Sequence, residues 1–186
     1  AAPMQRLDRA ALLVLLIALL MWVALPTHPA TGAALLLAGL AHLVRMGRWA
    51  GERTGAEPLV TVLHLGYAFL PLGALAVGAE VLLPGPVGMA GAQHLWMGGA
   101  IGLMTLAVMT RATLGHTGQA LSAGPGTVAI YAALALAVLV RVAADIWPGQ
   151  APLLHGLSGL AWIAAFGGYA VVYGALLLRA APAKRI

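Results

Sequence analysis

Six stretches of this 186-residue chain are apolar over lengths that suit a membrane crossing. A bilayer core about 30 Å thick takes roughly 20 helical residues at a rise of about 1.5 Å each. The runs cover 10–25, 30–46, 59–83, 92–114, 127–146 and 152–178, and Pro, Gly and charge clusters separate them. Only 8% of the residues are charged and 62% are hydrophobic. A soluble domain carries roughly a quarter charged residues. So few charges cannot cover a globule in water, which excludes a soluble enzyme, a disordered tail and a nucleic-acid-binding module. The expected fold is all-α: a single polytopic transmembrane helix bundle over 1–186, surrounded by the lipid bilayer, with no nucleic-acid partner. There is no cysteine, so disulfides and thiolate ligation within the chain are excluded. The six histidines are then the strongest metal ligands available, with methionines and carboxylates behind them.

Charge sets the expected orientation. Arg6 and Arg9 precede the first run, and Arg45, Arg48 and Arg53 lie between the second and third. Arg111 closes the fourth run, and Arg179, Lys184 and Arg185 follow the sixth. The connections after runs one, three and five hold no Lys or Arg. Basic residues mark the cytoplasmic side, so both termini are expected in the cytoplasm and the chain in a cell inner membrane. Arg141 is the exception. Asp145 stands four residues on, on the same helix face. The pair either snorkels to the outer headgroups or belongs to a site. Gly98 and Gly102 share a Gly-xxx-Gly spacing, which allows close helix packing or leaves room for a flat cofactor. Pro71 interrupts the third run and is expected to kink it.

This topology sorts the histidines by depth. His42, His64 and His116 fall near the inner face, with Arg45 and Arg111 at the same level. His28, His94 and His155 fall near the outer face, with Glu80. A histidine at a helix end reaches interfacial water and needs no function. His64 differs, because it lies about 7–8 Å inside an apolar run, where ionisable groups usually serve a function. Tyr67 shares its face. Imidazole suits iron and copper, and Arg45 or Arg111 could pair with haem propionates. Met97 follows His94 by one helical turn and suits copper or plain packing. No Asp or Glu stands beside the inner histidines within a run, which counts against a reductase.

From His94 to Gly118 the sequence runs HLWMGGAIGLMTLAVMTRATLGHTG. This segment resembles the signature of the NnrS family, polytopic membrane proteins described as binding haem and copper. Arg48-Trp49, Leu63-His64-Leu65-Gly66-Tyr67, Tyr131 and Arg141-Val142 extend the resemblance. Gln119 departs from it, where the family usually has Arg. The resemblance covers essentially the whole chain, yet it matches only the C-terminal part of family members about twice as long. A short member, a subunit that needs a partner and a truncated chain all fit that length. A second chain or oligomer would then supply the missing half.

The resemblance implies a role in the response to nitric oxide and reactive nitrogen species, in bacteria that meet or perform denitrification. Its expected cofactors are haem and, with less support, copper, with nitric oxide as a ligand. By carry-over the functional residues are His64, His94, His116 and Arg111. The topology adds His42 and Tyr67 to the cofactor set and His155 to the metal set. Haem iron is expected on His64 with His116 or His42. Two readings compete with this one: a metal-ion or proton-coupled transporter, and a non-catalytic assembly subunit.

Overall fold

A computed structural model describes residues 4–49 and 51–178. The side chain of Arg53, and Arg179, Lys184 and Arg185, on which the orientation argument draws, lie outside the described residues. The helices are α1 (Arg6–Ala24), α2 (Pro29–Gly47), α3 (Pro58–Leu82), α4 (Gly88–His94), α5 (Leu103–His116), α6 (Pro125–Ile146) and α7 (Ala151–Leu178). A π-helical stretch, Leu95–Gly102, joins α4 to α5. The three form one rod of 29 residues, Gly88–His116. Among the described residues there are thus six helical segments long and apolar enough to cross a membrane, and no strand. The chain is an α-helical membrane protein.

The boundaries have local causes. Pro29, Pro58 and Pro125 sit in the first turns of α2, α3 and α6, where the missing N–H is an orphan in any case. Leu25 ends α1 just before Pro26, which disfavours helical geometry in the residue ahead of it. Both α1 and α2 have 19 residues, longer than their apolar runs. Charged residues such as Arg6, Asp8 and Arg9 continue α1 beyond the first apolar position, because a helix end at the headgroups need not be apolar. The helix α3 continues through Pro71 from Pro58 to Leu82, so that proline does not divide the third crossing.

Lipid offers no hydrophobic drive between helices, so they associate through small residues and cross-helix hydrogen bonds. Between α2 and α3 the backbones nearly touch. A Cβ on Gly78 would lie 2.8 Å from the Gly32 carbonyl oxygen and 3.0 Å from the Leu36 nitrogen. The central rod packs between α3 and α6, and Trp22 of α1 stacks on Trp96 at 5.4 Å. Tyrosine hydroxyls fasten α7 at two points: Tyr169 to Thr113 at 2.7 Å and Tyr173 to Thr127 at 2.5 Å. Half of the rod's most apolar window is buried within the protein, against 17% for the crossing that contains α7. The rod is therefore central and α7 peripheral.

Candidate functional site

A cavity lies at the end of the bundle away from Arg45, Arg48 and Arg111. It has a volume of about 490 Å³ and opens between the central rod, α6 and α7. His94, Gly98, Ala137, Val138, Arg141, His155, Ser158, Gly159 and Trp162 line it. His94 is the last residue of α4, and its Nδ1 lies 2.7 Å from the carbonyl oxygen of Ala90. A carbonyl only accepts, so Nδ1 carries the proton and Nε2 keeps its lone pair. His155, early in α7, makes no hydrogen bond among the described residues and adds a second imidazole. Arg141 is held by Asp145, Nη1 to Oδ1 at 2.7 Å. The other carboxylate oxygen of Asp145 is buried without a partner among the described residues. It fits beside Gly91, where a Cβ would lie only 2.7 Å away.

The π stretch shapes this cavity. A π turn carries an extra residue, and such turns occur often at functional sites. Gly98 faces Val138 and Trp162, and Gly102 faces Trp162 and Leu134. Both therefore sit on the side towards α6 and α7. Gly99 faces the opposite way, where a Cβ would run into the Phe69 ring of α3. The Gly-xxx-Gly spacing serves close packing, and the same bare backbone forms part of the cavity wall.

At the basic end a hydrogen-bonded network ties α1, α2 and α3 together. Asp8 accepts from Arg45 Nε at 3.1 Å and from the Gln5 backbone at 2.8 Å, with Arg48 Nη1 at 3.5 Å. Arg45 also donates to the Tyr67 hydroxyl at 2.6 Å. Tyr67 in turn donates to Nδ1 of His42 at 2.5 Å, and Nε2–H of His42 donates to the Ala11 carbonyl at 3.1 Å. His42 is completely buried. Neither of its nitrogens has a lone pair to spare for a metal. The Arg45 guanidinium also lies 4.7 Å over the Trp49 ring. Asp8 is thus an acidic partner in the inner histidine cluster, which the apolar-run reading missed because its first run began at Ala10.

His64 stands outside that network. Its Nδ1 donates to the Val60 carbonyl four residues back, at 3.1 Å, so its Nε2 keeps a lone pair that has no partner among the described residues. It lines a smaller cavity of about 270 Å³ with Met46, Gly47 and Gly51. His116 is exposed at the end of α5. Gly66 packs on Met104, and α3 and α5 run antiparallel, so His116 lies about ten residues, or about 15 Å, beyond the level of His64. The two are not placed to share one metal. Arg111 is half-buried on α5, five residues before His116 and so on another face.

The outer set also separates. His28 caps α2 by accepting the Ala30 N–H at 3.1 Å. Glu80 spends both oxygens on the α3–α4 turn, accepting from Gly85 at 2.9 Å and Gly88 at 3.1 Å. Gly88 there adopts φ of +65°, which favours glycine. Only His94 and His155 share a cavity. Arg141, Asp145, Ser158 and Trp162 complete that end, and the sequence signalled only the first two, through their i, i+4 spacing. Among the described residues, no three His, Asp or Glu side chains converge as a metal-binding group.

Fold and site together define a polytopic helical membrane protein with a histidine-lined cavity between its crossings. Residues 1–180 match the NnrS protein family, and the chain belongs to it. Neither a curated protein nor a solved structure matches the chain.

Proposed function

We propose that this chain is a haem- and copper-binding protein of the response to nitric oxide and reactive nitrogen species. We place it in the bacterial inner membrane with both termini cytoplasmic. The supporting observation is His94. Its tautomer is fixed by Ala90, and its free Nε2 belongs to a residue lining the cavity of about 490 Å³. Metal-bound histidines characteristically donate their other ring N–H in this way.

The residues fit haem. The group needs an imidazole lone pair, apolar walls and a cation for its propionates. His94 and His155 supply nitrogen donors, Gly98, Val138 and Trp162 supply apolar wall, and Arg141 supplies the cation. A volume of about 490 Å³ lies within the range of ligand pockets. Haem there would supply a redox-active iron able to bind nitric oxide. Asp145 would keep the Arg141 guanidinium in place. The earlier pairing of His64 with His42 or His116 has less support, since His42 is fully hydrogen-bonded and His116 lies far down α5.

The test is an optical spectrum of the haem-replete, detergent-purified protein, oxidised, reduced and then exposed to nitric oxide. A Soret band that shifts at each step is expected, and His94→Ala should abolish or displace it while His116→Ala leaves it in place. A featureless spectrum would overturn haem binding by this chain alone. One observation favours a proton-coupled transporter instead: the Asp145 oxygen that is buried without a partner among the described residues. That reading requires solute flux in proteoliposomes and no Soret band.

A further inference from the structure

We propose that the outward face of α1 and α2 at the basic end binds a phospholipid with an anionic headgroup. The site is separate from the His94 cavity and goes beyond the haem reading. The two helices present matching faces. On α1 the exposed residues Arg9, Leu13, Leu16 and Leu20 follow one another at intervals of three or four, so they lie along one side. On α2 the exposed Leu37, Leu40 and Val44, and then the half-buried Arg48 just past its end, repeat the spacing in the opposite chain direction. Each apolar stripe therefore ends in an arginine, and the two ends are joined. Nη2 of Arg48 donates to Oε1 of Gln5 at 2.6 Å, and Gln5 stands one helical turn before Arg9.

Positive charge is in excess there. Between Gln5 and Arg48 the sequence holds one carboxylate, Asp8, against Arg6, Arg9, Arg45 and Arg48. Asp8 is taken up by Arg45 Nε at 3.1 Å and the Gln5 backbone at 2.8 Å, with Arg48 Nη1 at 3.5 Å. Arg6 and Arg9 are exposed and have no acidic partner among the described residues. Guanidinium groups fork onto phosphate oxygens, and basic clusters beside apolar helix faces recruit anionic lipid headgroups. Leu13 to Leu20 begin about 6 Å and end about 16 Å along the helix from Arg9, at the depth of acyl chains. A soluble anion would use the arginines and leave the leucines bare. A zwitterionic lipid would cover the leucines but bring its own cation to the arginines. An anionic phospholipid satisfies both.

The experiment is native mass spectrometry of the detergent-purified chain, titrated separately with phosphatidylglycerol and with phosphatidylcholine of the same acyl chains. One equivalent of phosphatidylglycerol is expected to stay bound under conditions that strip phosphatidylcholine. Arg9→Gln, at an exposed position, should weaken that binding about fivefold, and Arg9→Gln with Arg48→Gln should abolish the preference. Arg9→Lys keeps the charge and should restore most of it. Arg111→Gln removes a charge from α5 and should leave the affinity within about twofold. Equal retention of the two lipids overturns the site, as does undiminished preference in the double variant. A loss in Arg111→Gln as large as in Arg9→Gln would reduce the effect to overall charge and overturn it too. So would displacement of the lipid by inorganic phosphate, which marks a site for the anion alone. A second copy of the chain covering this face would appear in the same spectra as a dimer without bound lipid, and would also overturn it. The haem proposal is read separately, from the Soret band.

Discussion

His42 and His64 show how much a histidine's meaning depends on its neighbours. Both lie on helices near the basic end, and the sequence assigns both to one inner set. In the fold, His42 closes a chain running Asp8, Arg45, Tyr67, His42, Ala11, while His64 bonds only to its own helix. Depth was legible from the apolar runs. The direction of each ring was not, because it depends on partners 25 and 31 residues away for His42. The network makes a sharp prediction. Tyr67→Phe removes the hydroxyl between Arg45 and His42 and leaves a buried Nδ1 unpaired, at a cost of about 1–3 kcal/mol. Thermal unfolding in detergent should show the loss. The Soret band of the haem-loaded variant should be unchanged, since the proposed haem cavity lies at the other end. A lost band with unchanged stability would instead make Tyr67 a cofactor residue.

At the scale of an element, the central rod carries the family signature and departs most from regular helix. Its hydropathy gave the crossing, and its glycines gave close packing. The π stretch was not legible, because a wide turn changes the hydrogen-bond ladder without changing apolar content. What holds it is contact with α3 on one side and with α6 and α7 on the other. Gly73 of α3 accepts the approach of Trp96, where a Cβ would lie 2.7 Å from the Trp96 side chain. Gly73→Val should therefore push α3 off the rod and lower stability by about 1–3 kcal/mol, as overpacking does. Gly115 lies on the same rod with nothing near its missing Cβ. Gly115→Ala should be neutral, or stabilising by about 0.5–1 kcal/mol from helix propensity. Detergent melting curves of the two variants separate packing from a general intolerance of side chains. Equal destabilisation by both would contradict the packing described for Gly73.

At the scale of the whole molecule, the count of crossings followed directly from sequence, because each apolar run folds as a helix of membrane-crossing length. Orientation rests on a different kind of argument. The bundle has a basic end with Arg45 and Arg48, and an opposite end where Arg141 is paired with Asp145. Arg6, Arg9, Arg45, Arg48 and Arg111 at the basic end outnumber Arg141, so the positive-inside bias should put the basic end in the cytoplasm. The chain has no cysteine, which makes this directly measurable with single introduced thiols. Pro86→Cys lies in the α3–α4 connection and Gln119→Cys in the α5–α6 connection, at opposite ends of the central rod. In intact cells a membrane-impermeant maleimide should label the first and spare the second until the membrane is opened. The reverse pattern would invert the orientation and move the His94 cavity to the cytoplasmic side. Labelling of both without permeabilisation would mean that the rod does not cross the bilayer, which its length and burial make the costlier arrangement.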